Sequence, residues 1–177
     1  MDKLIQKLPI RSKQLHTPVV LLANINQTHF MSLGAEYYKP LYKSLKSQEN
    51  LGQPILLVAN VTNPLMTIEQ RAENLTQKIK KVTSKYEKVH LIAHSFSGID
   101  ARCAISMMGL HKKVHSLTTL SSPHHGCAVI EKANKNPHSV GNISHTEKAI
   151  EALGLSMANA QEFSAPNMAA FNKIATD

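Results

Sequence analysis

The chain has 177 residues, enough for one packed core and too few for two ordinary domains of about 100–200 residues each. Its 42% hydrophobic content fits a globular protein, and the longest apolar runs, Val19 to Ala23 and Ile55 to Ala59, are far too short to cross a bilayer. The formal charge of +8 comes from scattered Lys and Arg with few aromatics among them, so solvated faces explain it and no nucleic-acid partner is expected.

Residues 1–17 form a basic arm and residues 18–177 a single domain. In the arm, Lys3, Lys7, Arg11 and Lys13 alternate with Leu4, Ile5, Leu8 and Ile10, and Asp2 is the only acid. That composition suits either a mitochondrial address or a basic segment lying on the domain. Cys103 and Cys127 make no disulfide framework, which points to a reducing, intracellular setting, mitochondrial or cytoplasmic.

From Pro18 onward, strand-like and helix-like segments alternate. Pro18 to Ala23, Pro54 to Ala59, Val89 to Ala93 and Val114 to Leu120 are short, β-rich runs that read as strands buried on both faces. A helix is expected over Pro40 to Ser47, with Pro40 in its first turn. A second follows from Ile68, Ala72, Leu75, Ile79 and Val82, spaced by fours and threes behind a capping box of Thr67 and Gln70. A third runs from about Ser95 to Leu110. The order predicts an α/β fold: a parallel sheet of about four strands flanked by helices, with ligands gathering at the carboxyl ends of the strands. After Leu120 no strand is expected. Asn134 to Asn142 reads as a loop, and Ser144 with Glu147 caps a helix carrying Ile150 and Leu153 and stopping at Gly154.

The third strand runs through Ala93-His94-Ser95-Phe96-Ser97-Gly98 straight into a helix, the context of a nucleophile elbow. A sharp strand-to-helix turn needs small residues two before and two after its central serine, and Ala93 and Ser97 meet that need. The helix start behind Ser95 favours negative charge there. The plainer reading is an ordinary serine on a strand-helix turn.

These residues, with Pro18 to Ile25, Thr118-Thr-Leu-Ser-Ser-Pro-His-His-Gly126 and Met168-Ala-Ala-Phe-Asn172, resemble the lipases of the α/β-hydrolase fold, above all the bacterial-type triacylglycerol lipases. The resemblance covers most of the chain from Pro18. It implies that Ser95 is the nucleophile and that the amides of Phe96 and Ile25 form the oxyanion hole. In the family a glycine after the first strand lets the Ile25-equivalent amide turn. Here Ala23-Asn24 stands in that place, and loss of one oxyanion donor costs about 10²–10³ in rate.

The family's acid and histidine belong to later strands, for which this sequence has no matching positions. After Ser95 the aspartates are Asp100, inside the nucleophile helix, and the terminal Asp177. His124, just past the fourth strand, is the one candidate for a substitute base, against a plainer role in loop packing. The ten histidines show no ligand spacing beyond the adjacent His124 and His125, and no phosphate loop or dinucleotide fingerprint appears. No metal and no cofactor are expected.

The first functional expectation is therefore a catalytically inactive, truncated lipase-like domain acting as a structural or interaction subunit. The alternative is a serine esterase or lipase acting through Ser95, with a rebuilt dyad or a base from another chain. With no further strand expected, Val114 to Leu120 is left at the sheet edge, so a protein partner is expected over that edge and the C-terminal helices.

Overall fold

The computed structural model describes residues 17–26, 33–47, 54–62, 65–135, 150 and 156–176. Most of the basic arm, the Ser144–Glu147 cap, Leu153 and Gly154 lie outside these residues. Four parallel strands form one sheet in the order β2-β1-β3-β4: β1 Val19–Asn26, β2 Ile55–Thr62, β3 Val89–His94 and β4 Val114–Leu120. Each coincides with an expected run, and β1 and β2 each extend three residues further, pairing as far as Asn26 opposite Thr62.

Alternation divides the strand residues between two cores. On one face Val20, Leu22, Val58, Leu91 and Ala93 pack with α2 (Ile68–Val82) and α3 (Phe96–Met107). On the other, Val19 and Leu21 meet α1 (Leu33–Ser47) through Tyr38, Leu41, Tyr42 and Leu45. The Tyr38 hydroxyl also donates to the Ile92 carbonyl at 3.3 Å.

The expected start of α1 at Pro40 is corrected: the helix begins at Leu33, and Pro40 lies in its interior rather than its first turn. An interior proline removes one backbone donor and costs about 3 kcal/mol or more. The apolar positions 38, 41, 42 and 45 define a helical stripe that spans Pro40, and burial of that stripe on the sheet outweighs the cost while Pro40 itself faces outward. In α2 the capping box is formed, with the Thr67 side chain accepting from the Gln70 amide and the Gln70 side chain accepting from the Thr67 amide. Ile68, Ala72, Leu75 and Ile79 are buried as expected, whereas Val82 is exposed at the end of the last turn.

The third helix is also shorter than expected, ending at Met107. Gly109 then takes the left-handed conformation and Leu110 anchors a separate 3₁₀ turn. Beyond β4 come α4 (Ala128–Lys135), α5 (Met157–Ala160), a 3₁₀ turn Gln161–Phe163 and α6 (Ala165–Ile174). Asn134 and Lys135 thus belong to a helix rather than to the expected loop. Among the described residues no strand follows β4, which pairs only with β3.

The C-terminal elements pack on the α2–α3 side. Phe163, Met168, Phe171 and Ala175 join that core, and the Cys127 amide donates to the Phe163 carbonyl at 2.9 Å. A buried ion pair ties the layer together: Arg71 Nε on α2 lies 3.1 Å from Asp100 Oδ1 on α3, both side chains being 1% exposed. Glu162 closes the group, accepting from the Ile68 amide at 3.1 Å and approaching Arg71 at 3.9 Å. Burial, opposed by that amide and by Arg71, raises the Glu162 pKa above the ordinary carboxylate value. Removing one member of such a buried pair strands its partner's charge, at a cost of about 3–5 kcal/mol.

Candidate active site at the β3–α3 elbow

Ser95 sits between the last residue of β3 and the first of α3 with φ 57 and ψ −135. A positive φ at a residue with a side chain costs about 1–3 kcal/mol and persists only where the surroundings enforce it. Here the Ser95 amide donates to the Leu120 carbonyl at the end of β4 (2.9 Å), and the Ser95 carbonyl accepts from the Gly98 amide (3.1 Å). The turn is pinned from both sides. Ala93 and Ser97 are fully buried, which is why both had to be small.

Gly98 is required by contact rather than by backbone angle. A Cβ there would stand 2.1 Å from Ser122 Oγ and 2.9 Å from Ser122 Cβ, so α3 presses against the loop that leaves β4. Ser122 Oγ is buried in that contact without a hydrogen bond. The loop has its own special positions, with Ser121 at φ 51 and Gly126 at φ 107. A Cβ on Gly126 would meet the backbone of Ala165 at 2.8 Å, which explains the glycine that closes Pro-His-His-Gly.

Phe96, the residue after Ser95, opens α3, so its N–H has no intrahelical acceptor. Its side chain is buried 4.2 Å, centroid to centroid, from the ring of Phe163, over which Arg71 also lies. Ile25 remains within β1, opposite Val61 of β2, so the strand continues through the stretch that the resemblance assigns to the oxyanion loop. His94 falls on the α1 face by alternation, and burial lowers its pKa.

His124 is engaged at both ring nitrogens. Arg102 Nη1 lies 3.2 Å from Nδ1, and Thr119 Oγ1 lies 3.1 Å from Nε2. Because a guanidinium can only donate, Nδ1 is the acceptor and Nε2–H points to Thr119. Arg102 also donates to Asn172 Oδ1 at 2.8 Å and to the Ala175 carbonyl at 2.7 Å. Asn172 in turn donates to the His124 carbonyl at 2.8 Å. This network binds α3, the post-β4 loop and α6. The Ser95 side chain makes no capping hydrogen bond to the start of α3. Asp100, the one aspartate near the elbow, is the partner of Arg71.

Sequence reasoning did not anticipate Arg71, Arg102, Thr119, Ser122 or Asn172. Nothing local marks Arg71 or Arg102, since both lie on helices and meet their partners only through tertiary packing. The Met168-Ala-Ala-Phe-Asn172 segment was visible, and the structure shows its Phe171 and Asn172 packed and bonded around Arg102.

A strained serine at the carboxyl end of a central parallel strand, leading directly into a helix, is the strand-turn-helix arrangement of the α/β-hydrolase fold. The family model for palmitoyl protein thioesterase matches residues 19–172, and the chain belongs to that family. Among solved structures it is similar to the mature form of the Bacillus licheniformis lipase BlEst2, with a TM-score of 0.63 at 17% identity over 94% of this chain and 61% of that one. It is also similar to the phospholipase PlaB from Legionella pneumophila, with a TM-score of 0.60 at 14% identity over 89% of this chain and 35% of that one. These likenesses establish the fold, and the chain spans less than two thirds of the length of either protein. No curated protein sequence matches it.

Proposed function

We propose that this 177-residue chain is a lipase-like domain that does not hydrolyse acyl esters by itself and serves as a structural or interaction subunit of a larger assembly. The observation that carries this reading is the state of His124. Its one proton-accepting nitrogen faces Arg102, so accepting a proton from Ser95 would cost the Arg102 bond and bring two cations together. That β4 pairs only with β3 among the described residues supports the interaction role. The C-terminal elements pack on the α2–α3 side, His115, Ser116 and Thr118 are exposed, and an unpaired edge is a template for a further chain. The mitochondrial reading rests on the composition of residues 1–13 alone, and import of a reporter carrying them tests it.

A second reading is favoured by Ser95 itself. Its backbone keeps a costly conformation, and the Phe96 amide at the start of α3 has no intrahelical acceptor, which supports an oxyanion role for it. In that reading the chain contributes the nucleophile of an esterase or thioesterase site, and another polypeptide contributes the base. Because the second reading takes its base from another polypeptide, a fluorophosphonate probe separates the two on the chain isolated together with its native partners. Absence of a Ser95 adduct fits the first reading. Stoichiometric labelling that disappears in Ser95→Ala replaces it with the second.

A further inference from the structure

At the amino ends of the strands, the opposite end of the sheet from Ser95, the register of β3 and β4 breaks. Val89 lies opposite Val114 and His90 opposite Ser116, so His115 is an extra residue on β4. Bulges are rare between parallel strands, and they re-aim side chains. This one brings the rings of His90 and His115 together, centroids 4.9 Å apart and planes at 84°. His90 Nδ1 lies 2.7 Å from Ser116 Oγ.

The surroundings suit a ligand. His90 is half-buried, His115 and Ser116 are exposed, and a cleft of about 460 Å³ opens beside His115, lined also by Thr17, Pro18, Tyr86, Glu87 and Lys88.

We propose that His90 and His115 form a two-imidazole site for a borderline divalent transition-metal ion of the zinc or copper(II) type, with water from the cleft completing its coordination. Three features carry this. A tetrahedral ion with metal–nitrogen distances of about 2.0–2.1 Å holds two imidazole centroids roughly 5 Å apart, which is the spacing the bulge creates. The Ser116 hydroxyl holds the inner nitrogen of His90, leaving Nε2 for a ligand, as the second shell of a metal-bound histidine does. The cleft leaves room for the remaining coordination positions. Among the described residues no group of three potential His, Cys, Asp or Glu ligands occurs, so the site is an open one of modest affinity.

The test is titration of the untagged full chain with copper(II), followed by electron paramagnetic resonance, and with zinc by calorimetry. One ion per chain is expected, with two imidazole nitrogens on copper. His90→Ala and His115→Ala should each weaken binding at least tenfold, whereas His125→Ala should leave it unchanged. Ser116→Ala, which keeps both ligands, should weaken it by a smaller factor. Thermal unfolding without metal checks that each variant folds. The proposal is overturned if folded His90→Ala or His115→Ala binds as tightly as the parent. It is equally overturned if copper on the unaltered chain carries one imidazole nitrogen or none, a result that does not depend on the variants.

Discussion

Ser95 holds a conformation that α3 does not need in order to start, and the strain is enforced by the bonds to Leu120 and Gly98. Glycine adopts positive φ without steric cost, so Ser95→Gly exchanges about 1–3 kcal/mol of strain for roughly 0.5–1 kcal/mol of extra chain entropy. Urea unfolding should therefore show the variant more stable by about 1 kcal/mol. A loss of stability would mean that the turn is unstrained or that the Ser95 side chain supports the fold. The serine itself was legible because a nucleophile elbow announces its small neighbours, here Ala93 and Ser97, in contiguous sequence. The condition of His124 was not. Its partners Thr119, Arg102 and Asn172 are 5, 22 and 48 residues away, and only the folded chain shows that both ring nitrogens are taken.

At the scale of elements, the elbow works as a wedge: α3 can follow Ser95 so closely only because Gly98 lets it rest on Ser122. Gly98→Ala would push a methyl group into Ser122 and to 3.0 Å from Thr119 Cγ2. Overpacking of this kind costs about 1–3 kcal/mol. Denaturant midpoints should fall accordingly, while an unchanged midpoint would show that the loop after β4 yields freely. The strands and α2 were readable because each carries its own signal, β-rich runs in one case and a capped helical stripe in the other. The start of α1 was misread because Pro40 looks like a first-turn residue by local rule. Tertiary burial of Tyr38, Leu41, Tyr42 and Leu45 overrides that rule. The bulge that pairs His90 with His115 left no trace in spacing, since register is a property of two strands and not of either one.

For the whole molecule, the order of strands and helices was enough to predict a parallel sheet with helices on both faces, and the sheet found is of that kind. What the order did not reveal is where the C-terminal segment goes. Residues 156–176 of it are drawn to the α2–α3 face by Phe163, Met168 and Phe171 and by the carbonyl and amide partners of Arg102, and among the described residues β4 pairs only with β3. The isolated chain is therefore expected to self-associate as its concentration rises in size-exclusion chromatography with light scattering. A monomer stable over a wide concentration range would argue against a partner at β4. The central proposal is that the chain does not hydrolyse acyl esters by itself. Steady-state hydrolysis of short- and long-chain acyl esters and of an S-palmitoyl thioester, comparing the purified chain with Ser95→Ala, tests this most directly. The prediction is equal, background-level rates for both proteins with every substrate. Turnover by the parent chain that disappears in Ser95→Ala would contradict it.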